Sequence, residues 1–225
     1  MRKRKKKLTA VILTVLAFCF LLTGCGSSGN SGGSQSGGDS VEIDPDAKVL
    51  IAYFTVADNS EVDAVSSASV SEFDGEKKGR VQAVADMIQE KTGGDLFSIK
   101  TSVKYPQDGG ELIDYAEKEQ EDNARPELTD SIDNLDEYDT IFIGYPNWWA
   151  DLPMVMYSFF DEYDFSGKTI IPFNVHNGSG FSDTISTIQE LEPDAQVVTN
   201  GFTVREDDVP DAEDDVNDWL EELGY

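Results

Sequence analysis

The chain carries two cysteines and one histidine in 225 residues, and only 17 basic residues against 44 acidic ones. Each shortage removes a class of function. Cys19 and Cys25 both lie near the N-terminus and His176 stands alone far from them, so the sequence offers neither a Cys/His zinc set nor a Cys–His nucleophilic pair. A net charge of −27 repels nucleic acid and anionic lipid, which excludes a phosphate-backbone binder. Acidic pairs such as Asp207-Asp208 and Asp214-Asp215 lack calcium-loop spacing and read as solvated faces. The one long apolar run, Leu8–Leu22, is too short and too one-sided for a membrane span.

That run has another reading. It follows the basic stretch Arg2–Lys7 and ends in Leu22-Thr23-Gly24-Cys25, the layout of an export signal with small residues before its cleavage point. The tetrapeptide resembles the lipobox of bacterial lipoproteins, which implies a signal peptide over residues 1–24, lipidation of Cys25, and a chain held outside the cytoplasm on the bacterial cell membrane. An uncleaved signal anchor is the alternative. Loss of the leader removes Cys19 and six basic residues, taking the charge six units further, from −27 to −33. Gly26–Ser40 is nearly all Gly, Ser, Asn and Gln, which cannot bury apolar surface, so residues 25–45 are expected to form a flexible lipidated tether. Residues 46–225 remain, about 180 residues, enough for one domain with its own core.

Within that domain, strand and helix patterns alternate. Lys48–Phe54 is a continuous apolar run of the kind covered on both faces. Thr55–Lys78 has no clear period and reads as a functional insertion. After Gly79, Val81, Val84, Ala85 and Ile88 recur on one helical face and Gly93-Gly94 supplies the stop. Strands follow at Asp95–Lys100, Thr140–Gly144, Thr169–Asn174 and Gln196–Val204, the last bent at Asn200-Gly201. Pro172 is tolerated only at an edge, a bulge or a strand end. Helices are expected near Glu111–Asp122, Met154–Tyr163 and Phe181–Leu191, and a last one carries Val216, Trp219, Leu220 and Leu223 on one face. Five alternations argue for an α/β, doubly wound, five-stranded parallel sheet with helices on both faces.

The stretch around which this organises is Thr140–Pro153, a buried strand followed by a loop with Trp148 and Trp149. Ligand crevices in open α/β sheets lie at the carboxyl ends of the strands, where such a loop can stack a planar cofactor. A Trp pair in that position equally serves as core or rim packing.

KVLIAYF, VADMIQEKTGGDLF, YPQD, NARPEL, IFIGYPNWWADLP, SGKTIIPF and HNGSGFS, in this order from Lys48 to about Val204, resemble the flavodoxin-like family, in particular its branch with a Trp-Trp loop. The resemblance implies strand order 2-1-3-4-5 and a non-covalent FMN at the carboxyl edge of the sheet. It places Pro146, Asn147, Trp148, Trp149 and Ala150 on one side of the flavin, and Asn174, His176, Asn177, Gly178, Ser179 and Gly180 in the loop on the other. His176 is a candidate proton donor or orienting group. For the phosphate, a helix N-terminus offers unpaired amides, and two registers are open. In one, Thr55 joins Asp58-Asn59-Ser60 directly. In the other, preferred here, Thr55 converges with the amides of Gly79, Arg80 and Val81 after the insertion loops out. Arg80 and Val81 depart from the family's Asn-Thr pattern, removing a hydroxyl and adding a cation. The expected function is electron transfer outside the cytoplasm with a redox protein partner, a basic one by charge complementarity. An NAD(P)H-dependent FMN reductase of a quinone or other small acceptor, and a flavin-free binding lipoprotein, are the alternatives.

Overall fold

The structure is a computed structural model that describes residues 43–44, 47–60, 70–73 and 76–225, with residues 70–73, 76 and 77 described by backbone alone. The leader, Cys25 and nearly all of the tether lie outside the described residues.

The apolar run after Lys48 becomes strand β1 (Val49–Tyr53), buried along its whole length because both of its faces are covered. Its parallel neighbours are β4 (Asp95–Ser98) and β5 (Thr140–Pro146). β5 pairs with β6 (Thr169–His176), and β6 in turn pairs with β7 (Gln196–Val197) and β8 (Phe202–Arg205). Read as one broken edge strand, β7 and β8 complete the order 2-1-3-4-5, all parallel.

The alternation of side chains along β1 sorts the core into two layers. Val49, Ile51 and Tyr53 face α2 (Arg80–Thr92) and α6 (Glu213–Leu223), meeting Val84, Ile88, Val216 and Trp219. Leu50, Ala52 and Phe54 face the other layer, built on α3 (Gly109–Glu121), α4 (Met154–Glu162) and α5 (Thr184–Leu191). Each fully buried Ile, Val or Phe contributes about 1.5–3 kcal/mol relative to exposure, so neither layer is dispensable.

Three local expectations change. The insertion is not structureless where it is described: α1 (Val56–Ser60) follows β1 at once, and an antiparallel pair, β2 (Val70–Phe73) and β3 (Glu76–Gly79), leads directly into α2. α1 is held by a buried Asn59, whose Nδ2 donates to the Thr55 carbonyl at 2.9 Å and whose Oδ1 accepts from the Thr101 amide at 2.8 Å. Second, β5 extends to Pro146 and β6 to His176, so Val175 and His176 join Asn174 in the strand and do not open the loop. Third, Pro172 sits inside β6. It pairs with Ile143 of β5, and on its other side the edge strand breaks between Val197 and Phe202. Proline lacks the N–H that would continue that ladder. A Cβ on Gly201 would lie 2.3 Å from the Pro172 carbonyl oxygen, so only glycine lets the bend pass there.

Candidate functional site

The sheet order reverses between β1 and β5, because the chain leaves β1 toward β4 and returns on the other side. Loops at such a switch point diverge and leave a crevice at the carboxyl ends of the strands. Thr55, Asn147, Asn177 and Glu206, each just beyond the end of its strand, all stand on that edge.

At the end of β1, Thr55 is fully buried and its Oγ1 has no hydrogen-bond partner. Gly79 occupies the N-cap position of α2 in an extended conformation, without a side-chain cap. A Cβ at Gly79 would lie 2.1 Å from Thr55 Oγ1, which shows how closely the two residues meet. The insertion therefore returns the chain to Thr55, and the first turn of α2 points its amides into the same corner. This is the approach of Thr55 and Gly79 that the second register requires. In the first, Asp58 and Asn59 are committed elsewhere: Asp58 accepts from Ser98 Oγ at 2.5 Å, and Asn59 locks α1 to the β4 exit.

At the end of β5, Asn147 N donates to the Val175 carbonyl at 2.9 Å, and its Nδ2 donates to the Gly180 carbonyl at 2.8 Å. Its Oδ1 is buried without a partner. Trp148 and Asp151 then exchange backbone hydrogen bonds of 3.1 and 3.0 Å, enclosing a two-residue turn in which Trp149 and Ala150 both take positive φ, +52° and +63°. Non-glycine residues adopt this conformation at a cost of about 1–2 kcal/mol each. The Asp151 carboxylate supports the turn, accepting from the Leu152 amide and Tyr157 hydroxyl at 2.8 Å each and from Gln120 Nε2 at 3.3 Å.

The two tryptophans separate. Trp148 packs edge-on against Phe54 and Tyr105, with ring centroids 5.8 and 5.6 Å away, and is 9 % exposed. Trp149 is 49 % exposed and fixed at its edge by an Nε1 hydrogen bond to the Ile113 carbonyl at 3.1 Å. Of the pair, Trp149 is the one with an open face. Pro146 is buried at the strand end and Ala150 is exposed at the turn.

At the end of β6, Asn174 is completely buried, donating to the Gly180 carbonyl at 3.0 Å and accepting from Thr203 Oγ1 at 2.6 Å. The Gly180 carbonyl thus gathers both asparagine side chains and fixes the exposed segment Asn177–Ser179 above them. The Gly178 amide donates to His176 Nδ1 at 2.8 Å, which leaves the imidazole neutral with its proton on Nε2. Burial lowers the His176 pKa, and the nearby Arg205 guanidinium lowers it further against an opposing effect of Asp208. His176 is built here as an orienting acceptor for the loop amide more than as an acid.

Asp151, Arg205 and Glu206 were not legible as site residues. Arg205 pairs in register with His176, and Glu206 N donates to the His176 carbonyl at 2.9 Å. Burial raises the Glu206 pKa, while Arg80 and Arg205 pull it back and Asp207 pushes it up. Two cations therefore flank the α2 entrance in a strongly acidic protein.

The sequence model of the flavodoxin family matches residues 70–223, well over half of the chain. The chain belongs to the flavodoxin family. The matched stretch begins at β2, so β1 and Thr55 lie upstream of it. Among solved structures, this flavodoxin-family chain is similar to a flavoprotein from Bacteroides eggerthii DSM 20697 (23 % identity, TM-score 0.61, covering 80 % of this chain and 99 % of that one). It is similar also to one from Bacteroides uniformis ATCC 8492 (26 %, 0.61, 78 % and 98 %). A third, from Lactobacillus acidophilus NCFM, was solved in complex with FMN (21 %, 0.53, 77 % and 99 %). No curated protein matches the sequence.

Proposed function

We propose that this flavodoxin-family protein binds FMN non-covalently and carries electrons outside the cytoplasm, anchored to the bacterial cell membrane through lipidated Cys25 and serving a basic redox protein partner. The observation that carries the reading is the buried, unpartnered Thr55 Oγ1 set against Gly79 at the start of α2. A buried hydroxyl without a partner costs about 1–3 kcal/mol, and a phosphate oxygen held by Thr55 and the first amides of α2 removes that cost. The residues present fit the group. Arg80 adds positive charge at the same corner, in place of the hydroxyl that related sequences carry.

FMN, when bound, supplies electron transfer through its ring system. The chain's residues do the rest. Thr55 and the amides of Gly79, Arg80 and Val81 hold the phosphate, and Trp149 offers its open face to the ring. Asn147 brings an unused Oδ1 to the end of β5, and the amides of Asn177 and Ser179 line the facing loop, where a donor near the ring nitrogens tunes the cofactor. The FMN complex of a structural relative and the Trp-Trp loop support this assignment.

The test is titration of residues 41–225 with FMN, followed by flavin fluorescence and visible absorption. Such a fragment is as large as the complete chains of the solved relatives, 98–99 % of which are covered. Quenching to a one-to-one end point that Trp149→Ala weakens more than Trp148→Phe is the expected result. No quenching at high micromolar FMN overturns the reading. Reduction of the bound flavin by a protein donor, without steady NAD(P)H oxidation in the presence of quinone, distinguishes carrier from reductase.

A further inference from the structure

Beside α3, a cleft of about 300 Å³ opens between the helix and the segment after it. Its walls are largely apolar: Val103, Ala124, Pro126 and the half-exposed ring of Tyr115. Its one buried charge is the carboxylate of Glu119, only 7 % exposed. The hydrogen bond to that carboxylate comes from the Tyr105 hydroxyl, long at 3.4 Å. No cation among the described residues is paired with it. The two basic side chains at the cleft's rim are engaged elsewhere: Lys118 bonds Asp122, and Arg125 bonds Asp161 at 2.6 Å and Asn123 Oδ1 at 2.9 Å while stacking on Tyr157.

A buried carboxylate without a cation is expensive to ionise, and a cation brought against it offsets that cost. An aromatic face beside a carboxylate is the combination that recognises an organic cation, since the ring's π face and the oxygens attract the same charge. The volume lies at the lower end of small-molecule sites. We infer that this cleft is a binding site for a small organic ammonium ion, with the ammonium on the Glu119 carboxylate, its apolar stem against Val103, Ala124 and Pro126, and Tyr115 as the cation–π wall. Its lining shares no residue with the proposed flavin site, and the inference does not rest on flavin being bound.

Desolvation supports the geometry. Burial raises the Glu119 pKa to about 7, with the Tyr105 hydrogen bond opposing it, so without ligand the group is partly protonated at neutral pH. An ammonium ion needs the ionised form. Affinity therefore falls as pH drops below about 7 and levels off above it. The other titratable groups facing the cleft are Tyr105, Tyr115, Lys118, Asp122 and Arg125, with Asp161 behind Arg125.

The experiment is a titration of the ¹⁵N-labelled full chain in non-ionic detergent with benzylammonium chloride, followed by amide shifts of Tyr115, Glu119 and Ala124. Benzyl alcohol serves as the neutral isostere. Saturable one-site binding is expected, weakened about tenfold or more in Glu119→Gln, which keeps the shape and the Tyr105 contact. Tyr115→Leu should weaken it by roughly two- to fivefold, and lowering the pH from 8 to 6 by about tenfold. Equal binding of the alcohol, undiminished binding to a folded Glu119→Gln, or no saturation at all overturns the inference. FMN titration of the same samples reads the other site, so failure of one reading is distinguishable from failure of the other.

Discussion

Two residues carry the sharpest tests. His176 is the only histidine, so its ring proton resonance is unambiguous in an NMR titration. Burial and Arg205 hold its folded pKa below the unfolded value of about 6.5. In the window between those two values the unfolded chain binds more protons than the folded one. The stability His176 contributes is therefore complete above about pH 6.5 and is lost as pH falls toward the folded pKa. Protonation at Nδ1 also breaks the bond from the Gly178 amide. We expect the resonance to titrate below pH 6.5, with amide shifts of Gly178 following the same curve. A midpoint at or above 6.5 contradicts the placement. Gly79 gives the second test. Its backbone tolerates any residue, so Gly79→Ala acts only through the Cβ placed against Thr55 Oγ1. Overpacking of this kind costs about 1–3 kcal/mol, and we expect a lower melting temperature together with FMN affinity reduced at least tenfold. Unchanged affinity in a destabilised variant would move the phosphate away from this corner.

At the scale of elements, the turn after β5 is a strained display built on Asp151. Replacing Ala150, at φ +63°, with glycine relieves the strain and is expected to stabilise the domain by about 0.5–1 kcal/mol, or a few degrees in melting temperature. Asp151→Ala removes the acceptor of the Leu152 amide and Tyr157 hydroxyl and is expected to destabilise by about 1–3 kcal/mol, freeing the Trp149 ring in steady-state fluorescence anisotropy. If Asp151→Ala melts like the parent and its tryptophan anisotropy is unchanged, the carboxylate does not support the turn. Elements also show what sequence pattern reveals. Long buried strands and amphipathic helices were legible, since Leu50, Ile141 and Ile170 fall in apolar runs and Val216, Trp219 and Leu220 repeat at helical spacing. α1 was not, because five residues are too few for a period. β3 was not, because Glu-Lys-Lys-Gly carries little strand propensity. The bend at Asn200-Gly201 was legible as a glycine signal, but its cause, Pro172 on the neighbouring strand, is a cross-strand fact that no local window contains. The same limit hid Arg205 and Glu206: their place beside His176 comes from the register of β8 on β6.

At the scale of the molecule, negative charge outweighs every other property of the surface, and it is unevenly useful. Among the described residues, acidic side chains line exposed helix faces, including Glu111, Asp114 and Glu117 of α3, the helix whose Ile113 carbonyl holds Trp149. An electron placed on the flavin proposed to stack on Trp149 would meet that field. Repulsion of about 1 kcal/mol at surface dielectric lowers the midpoint potential by tens of millivolts, since a tenfold change in equilibrium is about 59 mV for one electron. Salt shortens the reach of the field from about 30 Å at 0.01 M to about 3 Å at 1 M. The potential of the bound flavin should accordingly rise by tens of millivolts across that range in a spectroelectrochemical titration, while reduction by a basic protein donor slows as steering is lost. The two effects have opposite signs for function and a common cause. Charge neutralisation on α3, as in Glu111→Gln/Asp114→Asn/Glu117→Gln, should reproduce the rise at low salt and flatten its salt dependence. A potential indifferent to salt, with a donor rate that still falls, would place the acidic surface at the docking face alone and remove it from the tuning of the cofactor.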